Sequence, residues 1–455
     1  TNSAIGLLTL YTNTSGHSNN AMGVQALYAN TSGAFNTAIG NETLFNNSTG
    51  DANTALGHQA LQNNRAGRFA TAIGYRAMAN TNNAGVLFDN RNVAVGCEAL
   101  QGSGNPSNNT GNNNTAIGFE SLFFNTSGSG NIAHGTFALF NNATGYSNTA
   151  VGIRALLANT TKSNLVAIGD SSLMANTGGT ANTAVGSKAL RSNTDGRNNT
   201  ATGFNALLTN TTGESNTANG AYALFNNSTA HSNTATGSQA LFNTTTGANN
   251  SALGAFALNS NTTGRSNTAV GMRALYTNTT GNNLVAFGDS SLMANTIGVA
   301  NTALGSKALR SNTNGNFNTA AGYQSMYTNT GGEFNSAFGH QALYANSNGD
   351  NNTAHGYQAL YSNTIGQSNS AFGVNALFNN QAGMNNIGIG NNSLFQNTAG
   401  NDNIAVGNAS LYANTGSANV AIGATALYSN TTGKANVAIG IKALYSNLNA
   451  NFTVA

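Results

Sequence analysis

One short phrase is written along the whole chain. Asn-Thr-Ala-Ile-Gly, or a close variant, places its glycine at Gly6, Gly23, Gly40, Gly57 and Gly74, then at Gly96 and Gly118 after two longer steps. From Gly118 the phrase returns every 17 residues to Gly407, and after one 16-residue step it closes with Gly423 and Gly440. That makes 26 units in 455 residues. A fixed period of this size marks a solenoid, whose units are each too small to bury an apolar side alone and so stack on their neighbours. Length by itself would suggest about three domains; the period replaces that prior with a single continuous array over residues 1–455.

Positions are counted here from the phrase glycine as zero. Position +4 is Leu except at Met78 and Met326, position +3 is Ala, Ser or Thr, and position −2 is Ala except at Gly388. Asn fills position −4 with the exceptions of Ala70, Leu165 and Leu284, and it fills position +7 in most units. Seventeen residues with a glycine and an Asn-Thr-Thr-Gly turn signal are too few for two helices. They suit one coil of a β-solenoid with two short strands and two turns. The β-branched segment from −4 to −1 reads as a strand, and +2 to +6 as a second strand or a tight turn. The expected fold is therefore all-β: a parallel β-solenoid or β-roll of about 26 coils of 17 residues.

Stacking places like residues above one another at ~4.8 Å. Leu27, Leu44 and Leu61 then form an apolar stripe. Asn36 and Asn53 at −4, and Asn13, Asn30 and Asn47 at +7, form amide ladders in which each side chain donates to the next. Asp in these columns would stack like charges and repel. The core of one coil is thin against an ordering cost of ~1–2 kcal/mol per residue. Positions −3 to −1 are apolar or β-branched together, as in Val166, Ala167 and Ile168. A strand apolar on both faces is covered on both faces, and the simplest cover is another copy of the chain. Position −1 also accepts His134, Thr202, Asn219, Thr236 and His355, which suits an interface that admits water. These features predict a homo-oligomeric rod; 26 coils at ~4.8 Å span roughly 125 Å.

Two departures and one longer repeat stand out. Insertions lie near 79–91 and 101–107, the second holding the only proline, Pro106, and both are expected to bulge as loops. The run Leu165 to Met174 returns almost unchanged as Leu284 to Met293, an offset of 119 residues or seven units.

Several functions are disfavoured. No apolar run approaches the ~18 residues of a membrane-spanning helix. The lone Cys97 can neither close an intrachain disulfide nor hold a metal. A net charge of +3 over 455 residues is too dilute for nucleic acid. The six histidines fall at three repeat positions, each used twice in distant coils, with no metal-ligand spacing. Asp170 and Asp289, equivalent in the longer repeat, read as turn residues, and Ser171 and Ser290 beside them have no base at a fixed spacing. No catalytic site, metal or cofactor is expected. The +5 column, with Tyr11, Tyr28, Phe45, Tyr344 and Tyr361, reads as partly exposed packing or a lateral contact, with a carbohydrate platform as the sharper alternative. Asn at +7 with Ser or Thr at +9 also makes many N-glycosylation acceptor patterns, which mean only turn chemistry in a bacterial or phage source and would allow a row of glycans along one edge in a eukaryotic secretory one.

Asn419 to Gly423 and Asn436 to Gly440 read Asn-Val-Ala-Ile-Gly, and Gly169 to Ser172 repeats a Gly-x-x-Ser spacing. In these motifs the chain resembles the head repeats of trimeric autotransporter adhesins. Gly356-Tyr357-Gln358-Ala359-Leu360 is similar to repeats of large bacterial surface and tail-fibre-like proteins. The resemblance implies a left-handed parallel β-roll, three chains packed side by side, and a place on a cell or virion surface. The unit here is longer than the adhesin unit, and no membrane anchor, stalk or signal peptide is recognisable. The chain starts inside a repeat, so it is expected to be processed or part of something longer.

The leading functional expectation is an extracellular structural fibre or adhesin shaft, whose repeated surface gives weak contacts avidity. A phage or phage-like tail fibre is the alternative on the same physics. An ice- or polysaccharide-binding surface is the alternative of another class, motivated by Thr columns. Expected partners are other copies of the chain, in lateral or end-to-end assembly, and a host-cell surface or polysaccharide. Low charge leaves little repulsion between rods.

Overall fold

The structure is a computed structural model describing residues 1–455. The chain forms two compact units, Thr1–His231 and Ser232–Ala455. Each is a parallel β-solenoid, and each carries thirteen copies of one three-residue strand. Neighbouring copies pair in register, coil upon coil. In the first unit Thr37, Ala38 and Ile39 face Thr54, Ala55 and Leu56. In the second, Thr302, Ala303 and Leu304 face Thr319, Ala320 and Ala321.

Each coil holds one such strand, and of the two readings of +2 to +6, a second strand or a tight turn, the turn is the one observed. The strand runs from −3 to −1, as in Thr37–Ile39 and Val420–Ile422. Position −4 lies outside it because the Asn there turns its side chain into the interior. The segment from +2 to +6 is a chain of turns, and its conformation explains why it is not a strand. Positions +2 and +4 are both left-handed, with Gln25 at φ 59° and Leu27 at φ 49°, and position −5 is left-handed too, with Phe35 at φ 61°. Non-glycine residues adopt this conformation at a cost of roughly 1–2 kcal/mol each. The compensation is that the turn's amides bond between coils. Leu27 N donates to Thr43 O at 3.0 Å and Ala29 N to Phe45 O at 2.9 Å, both in the next coil, while Gln25 N donates back to Leu7 O at 2.9 Å. The turns are thus stitched as continuously as the strands.

Each coil encloses a small triad: Ala at −2, Ala, Ser or Thr at +3, and Leu at +4 in nearly every unit. Ala38, Leu44 and Thr43 are fully buried, as are Ala184, Ala189 and Leu190. Where +3 is Ser, its hydroxyl donates to the phrase-glycine carbonyl of its own coil, as Ser172 does to Gly169 at 2.9 Å. No polar atom is then stranded, and Ala and Ser interchange. The phrase glycine itself is obligatory: Gly40 has φ +132°, and a Cβ there would lie 2.7 Å from the Gly57 carbonyl of the next coil.

Both insertions leave the register intact, since Thr71–Ile73 pairs with Val93–Val95, and that strand pairs with Thr115–Ile117. They are more ordered than simple bulges. In the first, Phe88–Asp89 pairs with Gly67–Arg68 as a two-residue parallel ribbon. The second contains a short 3-10 turn, Pro106–Asn108, capped by the Asn105 side chain.

Candidate functional site

The interior holds two amide ladders that share one acceptor. The −4 ladder runs through Asn36 and Asn53: Asn53 Nδ2 reaches Asn36 Oδ1 at 3.1 Å, and the same oxygen accepts the Asn53 backbone amide at 3.0 Å. The +7 ladder runs through Asn13, Asn30 and Asn47: Asn30 Nδ2 donates to Asn13 Oδ1 at 2.7 Å, and Asn47 Nδ2 to Asn30 Oδ1 at 2.9 Å. The second hydrogen of each amide goes to the carbonyl at +10. Asn36 and Asn47 both donate to Gly50 O. Asn30, Asn36, Asn47 and Asn53 are fully buried, as are Leu27, Leu44 and Leu61, whereas Asn13 is half-buried. Aspartate lacks the amide hydrogens that every rung uses, so like-charge repulsion is only half the reason Asn is needed.

This burial decides between the two readings of the acceptor patterns in favour of turn chemistry. Asn30 and Asn47 stand in acceptor patterns, but they are enclosed and their Nδ2 hydrogens are taken up by the ladder and the +10 carbonyl. A +7 Asn inside the ladder therefore offers no glycan attachment point. The ladder also has defined breaks. Asn64 Oδ1 has no partner where Thr81 takes the next place, nor has Asn397 Oδ1 where the 16-residue step shortens the coil.

Sequence reasoning missed a third cluster, built mainly from backbone. The amides of Thr14, Ser15 and Gly16 converge on the Thr31 carbonyl of the next coil at 2.9, 2.9 and 3.2 Å, and the Thr14 hydroxyl adds a fourth donor at 2.9 Å. The same arrangement recurs at Thr262, Thr263 and Gly264 on Thr279. The frequent Thr at +8 was its only sequence signal.

Outside, the strand presents two parallel columns. Position −3 supplies mainly Thr, and position −1 supplies Ile39, Leu56, Ile73 and Ile168 in the first unit and Leu304, Phe338, Ile389 and Ile422 in the second, all exposed. The columns stand ~6.7 Å apart along the strand and repeat every ~4.8 Å. Polar members of −1 join the packing: His355 meets Phe338 and Phe372 edge to face at 4.6 and 5.6 Å.

The +5 rings form stacks along the coils. Tyr327, Tyr344, Tyr361, Phe378, Phe395, Tyr412, Tyr428 and Tyr445 are continuous, with neighbouring centroids 5.0–5.2 Å apart and planes within 9°. Arg310 begins the run, its guanidinium 5.5 Å from the Tyr327 centroid and bonded to its hydroxyl at 3.1 Å. Each inner ring spends both faces on its neighbours and shows only edges outward. A sugar needs a free ring face, so the stack is packing and not a saccharide platform. Burial, with the neighbouring Tyr361 and Tyr327, pushes the Tyr344 hydroxyl above its ordinary range.

Ionisable groups are dispersed. No three His, Cys, Asp or Glu side chains converge on a point where a metal ion would sit. His340 lies between Tyr323 and Tyr357 in the +1 column, 5.3 Å from each. Burial, together with Glu98 and Glu120, pushes the Cys97 thiol up, which disfavours the thiolate. Asp170 and Asp289 carry backbone contacts to Lys188 and Lys307 at 2.7 and 2.9 Å. No helix is long and apolar enough to cross a membrane. No protein-family model matches the chain, and no curated protein matches it at a significant level.

Proposed function

We propose that this chain is a non-catalytic structural fibre element of a cell or virion surface, assembled from copies of itself through the outer strand face. The observation that carries this reading is the pair of −3 and −1 columns. Exposed or half-exposed Ile, Leu, Val and Phe fill most of the −1 column beside Thr, in runs interrupted by His134, Thr202, Asn219, Thr236 and His355. Contiguous apolar surface of this kind marks association sites. The trimeric arrangement of the adhesin heads that the phrase resembles would bring this face to the axis. The bulk of Phe287, Phe338 and Phe372 in the −1 column argues against docking on a flat ordered lattice such as ice.

Static light scattering with electron microscopy of the same fraction tests the reading. A discrete multi-chain mass with short rods, three chains in the adhesin-like case, supports it. Dispersed single chains at high concentration would remove its basis.

A further inference from the structure

We propose that the first insertion, braced by the second, completes a binding groove for a carboxylate-bearing saccharide on the first unit, with Arg65 as its anion anchor. The groove has a volume of about 490 Å³ and is lined by Ala29, Asn46, Ser48, Asn63, Arg65 and Asn83. It runs along positions +6 and +8 of three successive coils, and Asn83 of the first insertion overhangs it. These are not the columns of the outer strand face, so the proposal does not depend on how copies assemble.

Three observations meet here. The first is the break in the +8 column, which is otherwise Thr, Ser or another uncharged residue; Arg65 is its only charge. A Thr at +8 donates its hydroxyl to the next coil, as Thr31 does to Ser48 O at 3.0 Å. Arg65 gives up that bond in the coil that faces the insertion. Its side chain is exposed and enters none of the chain's four ion pairs. A free guanidinium fork takes carboxylate in two parallel hydrogen bonds.

The second is how the insertion is held. Ser107 Oγ donates to Asn83 Oδ1 at 3.0 Å, Asn109 Nδ2 bonds Asn80 O, and Arg68 pairs with Asp89 at 2.6 Å. The two largest departures from the repeat thus brace one another. A Cβ at Gly85 would stand 3.6 Å from Arg65 Cζ, so the braced loop runs alongside the guanidinium and forms one side of the groove.

The third is the wall. Asn46 Nδ2 donates to Asn63 Oδ1 at 2.9 Å, and Asn63 Nδ2 to Asn80 Oδ1 at 3.1 Å. This outer amide row offers alternating donors and acceptors, which is what sugar hydroxyls require. The volume suits a two- or three-ring ligand better than a single small anion.

The test is calorimetric titration of the full chain with trigalacturonate, its neutral galactose counterpart and inorganic sulfate. The proposal expects trigalacturonate to bind, the neutral sugar to bind at least ~10-fold more weakly, and Arg65→Gln and Asn83→Ala each to weaken trigalacturonate with circular dichroism unchanged. No heat from trigalacturonate at millimolar concentration would overturn it, as would binding unaffected by Arg65→Gln. Sulfate binding as tightly as the trisaccharide would overturn the saccharide assignment.

Discussion

Asn36 and Asn47 are eleven residues apart in sequence, yet their side-chain amides meet on one acceptor, donating to the Gly50 carbonyl at 2.8 and 3.0 Å. That shared carbonyl ties the two ladders together and closes the coil across its interior. Asn47→Ala is therefore expected to cost about 1–3 kcal/mol by stranding buried acceptors. Asn47→Asp should cost more, about 3–5 kcal/mol at neutral pH, because an unpaired carboxylate replaces a double donor. Its penalty should shrink as pH falls and the acid protonates. Denaturant unfolding of both variants at two pH values checks this; a negligible penalty for Asn47→Ala would mean the ladder's donors are unimportant, and equal penalties for the two at neutral pH would mean the buried charge adds nothing.

The left-handed backbone makes a second prediction. Ala181 is exposed with φ 53°. Ala181→Gly removes the steric cost of that conformation, against a smaller loss from the looser unfolded chain, and should stabilise by about 0.5–1 kcal/mol. The measurement is the denaturation midpoint, and a lower midpoint would show that the conformation carries no strain.

The aromatic stack should be visible in alkali. The Tyr344 hydroxyl is held above its ordinary range by burial and by its tyrosine neighbours. Its folded form holds the proton more tightly than the unfolded chain does. The corresponding stability is full below the ordinary tyrosine value and is lost as pH rises through the folded value. Tyr344→Phe should accordingly flatten the alkaline decline in melting temperature. Ultraviolet phenolate titration should find a late-titrating tyrosine in the native chain that this variant lacks.

The first insertion should respond to acid. Hydrogen bonding from Arg68, with the charges of Arg68 and Arg91, holds the Asp89 carboxylate below its ordinary range despite partial burial. Its contribution is present above the ordinary carboxylate value and lost as pH falls through the depressed one. Hydrogen exchange at Phe88 and Asp89 should therefore rise in strong acid before exchange in the coils does.

The phrase glycine, the Leu stripe and the Asn columns made the stacked coil legible, because a 17-residue period leaves few other folds. Which strand face turns inward was not read from the sequence, and in the structure it is the face of the small Ala at −2. The number of strands was not legible: Gln25 and Leu27 adopt a glycine-like conformation that nothing in their side chains announces. Asn at +7 looked like turn chemistry with a glycan pattern, and only the closed coil places it inside. The +5 rings were read as a column, but whether they offer faces or edges depends on their tilt. Arg65 was legible as the one charge of the +8 column, but its meaning was not until the insertion was seen lining the same groove.

The central claim is that copies assemble through the −3/−1 face. Ile168 and Ile422 are 39% and 42% exposed in the single chain, so lysine at both positions leaves each coil's interior untouched. The most direct test compares the light-scattering mass of the native chain with that of the Ile168→Lys, Ile422→Lys variant. The account predicts a discrete multi-chain mass for the first and a one-chain mass for the second, with matching circular dichroism. An assembled mass unchanged by the two lysines would contradict it.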